Sequence, residues 1–262
     1  MSREDPNALL AVAREAATVA GALLRDRFEA GSERRVASKT TPTDPVSEAD
    51  LASQRAIHAL IAERRPADAF LGEEEGADEA GSSGLRWIVD PLDGTVNFLY
   101  GIAQWSVSVA VADEEGALAG VVHDPMSGET FEAIRGGPAT RNGVALASRA
   151  DHAPPLAQAL VATGFAYDAR VRAEQGEVIA RLLPRVRDIR RLGSAALDLC
   201  GTAAGRFDAY FERDVKPWDT TAGALVCVCA GLEVRSIDGG ILAAVPTLAA
   251  QLELLISEQS RR

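Results

Sequence analysis

Trp87-Ile88-Val89-Asp90-Pro91-Leu92-Asp93-Gly94-Thr95-Val96-Asn97-Phe98 runs from an apolar segment into a turn that opens a short helix, with two carboxylates at the junction. Leu85 to Val89 reads as a short buried strand that ends in Asp90-Pro91. Asp90 and Asp93, three apart across Pro91, can point into one pocket, where like charges repel unless a cation lies between them. Hard divalent ions with oxygen ligands, Mg²⁺ above all, suit that position. Gly94 and Thr95 follow at once, and a glycine at a helix entry lets backbone amides approach an anion that the helix dipole favours. The same composition also makes an ordinary turn, because Asp, Pro and Gly are the commonest turn residues. The segment alone leaves both readings open.

On its N-terminal side, apolar residues recur at helical spacing from Pro6 to Phe28 (Leu9, Leu10, Ala13, Ala16, Ala17, Ala20, Leu23, Leu24), and Gly31-Ser32 ends that helix. Breakers fill Lys39 to Val46. Ser47 then caps a second helix to about Arg65, with Ser47-Glu48-Ala49-Asp50 a Ser-x-x-Asp form of the capping box. An acidic, glycine-rich loop spans Gly72 to Gly84. On the C-terminal side, Val107–Val111, Gly120–His123 and Thr130–Ile134 read as an antiparallel meander. Beyond Pro154-Pro155, strands at Ala159–Ala162, Arg187–Arg190 and Phe207–Phe211 alternate with helices at Ala173–Leu183, Ser194–Ala204 and Trp218–Ala230. The expected organisation is an α+β N-terminal half, residues 1–150, and an α/β C-terminal half, residues 151–262. Its boundary falls near residues 148 to 156, and sites commonly form where two such halves meet.

With 262 residues, 47% of them hydrophobic, the chain can bury a sizeable core without staples. A net charge of −11 argues against nucleic acid as the main partner, since a phosphate backbone is bound through clustered Lys and Arg. The longest apolar stretches, such as Ala222 to Leu232, are too short for a membrane span, and Met-Ser-Arg-Glu-Asp is no leader sequence. Cys200, Cys227 and Cys229 form an odd set in apolar surroundings and read as reduced core thiols; neither they nor His58, His123 and His152 have zinc spacing. The expectation is therefore a cytoplasmic protein with no nucleic acid and no membrane among its partners.

Two more acidic elements bear on the first. Leu71-Gly72-Glu73-Glu74-Glu75-Gly76 sets carboxylates after an apolar run, and Lys216-Pro217-Trp218-Asp219 sets an Asp at the start of an apolar helix. Taken singly, these are a solvated loop and a helix cap. Taken together with the Asp90–Phe98 segment, in that order and spacing, the chain resembles the inositol monophosphatase family of lithium-sensitive, Mg²⁺-dependent phosphatases. Arg191-Leu192-Gly193-Ser194-Ala195-Ala196 and Phe207-Asp208-Ala209-Tyr210-Phe211-Glu212 also fit, and the likeness spans roughly residues 8 to 235.

That resemblance implies a layered α-β-α-β-α sandwich and hydrolysis of a small phosphomonoester, foremost myo-inositol 1-phosphate. It implies that Glu73, Asp90 and the Leu92 carbonyl hold one Mg²⁺, and Asp90, Asp93 and Asp219 a second. A third, weaker ion would lie near Glu73, with Glu74 in support. Asp50 and Thr95 would orient and deprotonate the attacking water, the amides of Gly94 and Thr95 would hold phosphate, and the Ala195 backbone and Glu212 would bind alcohol hydroxyls. Glu212 by itself reads equally as a surface residue at a strand end. Lys39 matches a mobile-loop lysine near the metals, in a chain with only two lysines. A homodimer and inhibition by Li⁺ are implied as well.

Cys229-Ala230-Gly231-Leu232 and Gly164-Phe165-Ala166-Tyr167 depart from the family pattern, and the second puts substrate identity in doubt. Histidinol phosphate and fructose 1,6-bisphosphate are the alternative substrates, and a non-catalytic metal-binding module is the alternative of another class. Cys200-Gly-Thr-Ala-Ala-Gly-Arg206 has the C-x₅-R spacing of thiolate phosphatases, but Cys200 continues an apolar helical run, which points to burial.

Overall fold

The structure is a computed structural model that describes residues 5–31, 36–38, 45–74, 77–150 and 153–257. The first helix, α1 (Pro6–Ala30), is capped by the Asp5 carboxylate on the Asn7 amide and stops at Gly31. A small antiparallel pair, β1 (Val36–Ser38) and β2 (Pro45–Ser47), leads into α2 (Glu48–Arg64). The capping box expected there is present: the Ser47 hydroxyl accepts from the Ala49 and Asp50 amides, and Asp50 accepts from the Ser47 amide.

Eight strands form the larger sheet. They are β3 (Ala69–Gly72), β4 (Asp78–Glu79), β5 (Arg86–Asp93), β6 (Ser106–Asp113), β7 (Gly116–Asp124), β8 (Glu129–Ile134), β9 (Thr140–Arg141) and β10 (Val144–Ala145), in spatial order β10-β9-β8-β7-β6-β5-β3-β4. Only β3 and β5 run parallel. The short helix α3 (Thr95–Leu99) leaves the end of β5. Two readings are corrected here. The acidic loop after Gly72 contains a strand, β4, paired to Leu71 and Phe70. The strand from Leu85 does not stop at Asp90-Pro91 but continues to Asp93 through a register shift against β6, which accommodates a proline with no N–H to give.

The second sheet holds β11 (Leu160–Thr163), β12 (Asp188–Arg190), β13 (Ala209–Arg213), β14 (Glu233–Ile237) and β15 (Gly240–Ala244) in the order β12-β11-β13-β15-β14. Parallel pairing of β11 with β12 and β13 gives the α/β part, whereas β14 and β15 are an antiparallel hairpin on its far side. The remaining helices are α4 (Ala169–Leu182), α5 (Ala195–Ala203), α6 (Pro217–Cys229) and α7 (Pro246–Ser257).

Packing orders these elements into five layers. Helices α1 and α2 cover one face of the large sheet; α5 and α6 lie between the sheets; α4 and α7 cover the outer face of the small one. Period-two alternation along β6 divides the cores: Val107, Val109 and Val111 pack toward α1, while Ala110 packs toward α5 and α6. Among the described residues α1 is the one helix long and apolar enough to cross a bilayer, which the apolar-stretch reading did not anticipate. Its Leu9, Ala13, Ala16, Ala17, Ala20 and Leu24 are buried in the core formed with the large sheet. That is the position of a core helix.

Leu199 sits fully buried in the central helical layer, while Leu254 on α7 is 68% exposed. Chemical denaturation should therefore separate Leu199→Ala, expected to cost about 2–5 kcal/mol through the cavity it leaves, from Leu254→Ala, expected within about 0.5 kcal/mol of the parent.

Candidate active site

The register of β5 aims its acids at the two central helices. Asp93 pairs with Ser106, whose hydroxyl lies 3.3 Å from that of Ser194 at the start of α5. Asp90 pairs with Ser108, whose hydroxyl donates to the Trp218 carbonyl in the first turn of α6. Asp93 then accepts three hydrogen bonds from α5: from the Ser194 hydroxyl (2.5 Å), the Ala196 amide (2.8 Å) and the Ala195 amide (3.2 Å). Burial raises its carboxyl to about 6 despite those three donors, and Glu73 adds to the rise.

Asp90 is buried, with Oδ1 taking the Leu92 amide at 3.0 Å. Burial, then the charges of Glu73, Asp93 and Asp219, push its carboxyl well above the ordinary range, and Glu73 also shares a hydrogen bond with it. Glu73 is brought there by its own amide, which donates to the Val89 carbonyl of β5. Asp219, at the third position of α6, accepts from the Lys216 amide at 2.6 Å, and burial together with Glu73 and Asp93 raises its carboxyl too. Glu74, next to Glu73, is buried and donates its amide to Gln54 Oε1.

Asp90, Asp93 and Asp219, from β5 and α6, thus hold raised proton affinities to which the charge of Glu73 from the β3–β4 connection contributes, and the donor atoms of all four acids are hard oxygens. That donor set fits a hard divalent cation, which relieves the repulsion that otherwise forces carboxylates to hold protons. Among the described residues no three His, Cys, Asp or Glu side chains converge closely enough to hold a metal ion as they stand.

Beside them, Thr95 Oγ1 donates to Asp50 Oδ1 at 2.9 Å, with the Leu92 carbonyl 3.1 Å away as a second acceptor. Asp50 is fully buried, and its Oδ2 is held by the Ser47 hydroxyl (2.6 Å) and amide (2.9 Å). Gly94 turns the chain between Asp93 and Thr95 at φ +100°, a conformation that suits glycine. A side chain there would also press on the Gln104 carbonyl (3.0 Å) and Trp105 (3.2 Å).

Glu212, on β13, is half-buried rather than exposed. It accepts from the Tyr210 hydroxyl at 2.8 Å, and burial raises its carboxyl to about 7, against the pull of Tyr210 and Arg191. Asp198, which the sequence reading passed over, is buried in α5 and titrates high for the same reason, with Glu212 and Asp93 as like-charged neighbours. Its i+4 position from Ser194 was the available signal. The Ala195 amide is engaged by Asp93, as given above. Lys39 lies outside the described residues. Cys200 is buried in α5 with its thiol pushed well up by burial, and Arg206 turns away to pair with Glu129, so no thiolate loop exists at that motif.

The layered fold and this acid cluster define a hydrolase of phosphoric monoesters. A model of the inositol monophosphatase family matches residues 5–261, and the chain belongs to that family. It is 41% identical over 246 residues, 88% of this chain and 84% of the relative, to an inositol-1-monophosphatase of Mycobacterium leprae (strain TN). It is 37% identical over 255 residues, 94% of each, to a protein of Pasteurella multocida (strain Pm70) named Nus factor SuhB. The crystal structure of the extragenic suppressor protein suhB from Bartonella henselae superimposes with a TM-score of 0.89 at 32% identity, covering 96% of this chain and 99% of that one.

A raised carboxyl has a definite consequence for stability. A group held at about 7 in the fold, against an ordinary 4.5, stabilises the fold below the ordinary value and loses that contribution as pH rises through about 7. In EDTA, thermal unfolding of the wild type should fall from pH 5 to pH 8 more steeply than that of Glu212→Gln, which keeps the shape without the titration. Parallel curves for the two proteins would refute the assignment.

Proposed function

We propose that the chain is a Mg²⁺-dependent phosphatase of small polyol phosphates, with myo-inositol 1-phosphate as its foremost substrate. The observation that carries the reading is the meeting of Glu73, Asp90, Asp93 and Asp219 at the end of β5, where burial and like charge act in one direction on Asp90. The substrate follows the names of relatives such as the Mycobacterium leprae protein.

In this reading Glu73, Asp90 and the Leu92 carbonyl hold one Mg²⁺, and Asp90, Asp93 and Asp219 a second. A third, weaker ion lies by Glu73, with Glu74 in support. Bound Mg²⁺ supplies Lewis acidity, neutralising charge on phosphoryl and leaving oxygens and making water a better acid. Thr95 and Asp50 move the proton: Oγ1 gives its hydrogen to Asp50 Oδ1 and takes one from the water that attacks phosphorus in line with the ester oxygen, and as the ester P–O bond breaks the leaving alkoxide takes a proton from solvent water while Asp50 returns its own to solvent. Ser47 holds the far oxygen of Asp50, which keeps that acceptor oriented. The amides of Gly94 and Thr95 hold phosphate oxygens, while Glu212 and the Ala195 backbone meet hydroxyls of the alcohol. A homodimer, inhibition by Li⁺ and a division into residues 1–150 and 151–262 belong to the same proposal, as does a cytoplasmic setting, which the three free thiols favour.

Phosphate release should depend on Mg²⁺ and be led by myo-inositol 1-phosphate over histidinol phosphate and fructose 1,6-bisphosphate. Asp90→Asn should lose at least about 10³-fold in kcat with the fold intact, and Thr95→Ala about 10²–10⁴-fold with Mg²⁺ affinity retained. Full turnover in EDTA would overturn the metal reading; a different leading substrate would overturn only the specificity; metal binding with no turnover on any ester would favour the binding module.

A further inference from the structure

Glu212 occupies a recess with two walls, the end of β13 on which it sits and the segment Gly164-Phe165-Ala166-Tyr167 that follows β11. The approach is close enough that a methyl group on Gly164 would overlap the Glu212 carboxyl. The β13 wall is held by its ladder with β15, where Glu212 lies opposite Ile241 and Arg213 opposite Gly240, whereas the segment after Thr163 lies outside the sheet. One side chain from α4 ties that segment to the fixed wall. Gln175, 6% exposed, accepts from the Ala166 amide through Oε1 at 2.9 Å and donates through Nε2 to the Arg213 carbonyl at 3.2 Å. The partners fix the orientation of the amide, since only an oxygen can face an N–H and only an NH₂ can face a carbonyl. One turn earlier on α4, Arg172 Nη1 donates to the Ala166 and Tyr167 carbonyls at 3.0 and 2.7 Å.

We infer that Gln175 is a positioning residue that sets the width of the Glu212 recess and with it the selectivity for the alcohol part of the substrate. The inference rests on the reading that Glu212 meets substrate hydroxyls. Its physical basis is that the Ala166 bond is buried and the Arg213 bond part-buried, so that removing the amide strands an N–H on the segment and leaves a C=O on β13 without that donor. The segment, which no strand pairing holds, then shifts to find a partner, while β13 stays in its ladder with β15. Glu73, Asp90, Asp93, Asp219, Asp50 and Thr95 are carried by other elements, so the phosphate chemistry does not share this support.

The test compares myo-inositol 1-phosphate, rich in hydroxyls, with p-nitrophenyl phosphate, which has none. Gln175→Met keeps length and bulk without either hydrogen bond. Gln175→Glu keeps the acceptor toward Ala166, loses the donor toward Arg213, and serves also should the first variant fail to fold. Gln175→Met should raise KM for myo-inositol 1-phosphate about tenfold with kcat within about threefold, while kcat/KM for p-nitrophenyl phosphate stays within about twofold. Gln175→Glu should fall between that variant and the wild type. An equal loss on both esters, or a lowered thermal midpoint with unchanged kinetics, would overturn the inference and leave Gln175 a structural residue. Glu212→Gln, run alongside, separates the two levels. A raised KM there with none in the Gln175 variants overturns the positioning role alone, and no change in either overturns the reading of Glu212 along with it.

Discussion

Asp90 has almost no water around it and has three acids for neighbours. In bulk solvent four carboxylates within a few ångströms of each other repel by roughly 1 kcal/mol per pair, but burial multiplies that several-fold. A chain can tolerate such a cluster only by letting the carboxylates take up protons or by surrounding them with positive potential and, in the working state, with cations. The raised proton affinities of Asp90, Asp93 and Asp219 are the first of these responses. The layout of the helices is the second.

Three helices begin at this cluster, and an acid answers the N-terminus of each. Asp50 is the third residue of α2 and closes its capping box; Asp219 stands at the same position of α6 and accepts from Lys216; Asp93 reaches across from β5 to cap α5 from outside. Unsatisfied amides at a helix start carry partial positive charge, so every one of these contacts stabilises a carboxylate and completes a helix at once. The oxygens divide accordingly. Asp50 gives Oδ2 to Ser47 and Oδ1 to Thr95, and Asp90 gives Oδ1 to the Leu92 amide. Asp93, with both oxygens engaged by α5, is also the link that fastens the central helical layer to the large sheet.

Much of this was legible from local signals. Ser47 and Asp50 announce themselves as a capping box, the strand–turn–helix around Asp90 and Asp93 has few purely structural uses, and the apolar run through Cys200 argues for burial rather than reactivity. What escaped depends on partners far apart in sequence. Ser194 bonding Asp93 spans 101 positions, and Gln175 bonding Arg213 spans 38, so no spacing rule points to either. Glu212 looked like a strand end because alternation along β13 says which face it takes, but not that Gly164 lies against that face. The hairpin of β14 and β15, and α7 beyond it, follow Leu232, where apolar and polar residues alternate too briefly to separate strand from loop. The β4 strand is two residues long and exists only because β3 offers an edge.

In the proposed binding mode the two ends of the substrate meet different kinds of support. The phosphate end is framed by strand termini and helix starts, where backbone amides and capping acids set positions that packing of two cores enforces. The alcohol end is framed by side chains: Glu212 against Tyr210, Gly164 against Glu212, Gln175 between Ala166 and Arg213. Changing a backbone-anchored acid disturbs a helix and the chemistry together. The residues of the second group hold no helix start. On the proposed reading, selectivity for the alcohol is set within α4, β11 and β13, and it is coupled to the acids only through α5, which holds Asp93 and packs on β11 and β13.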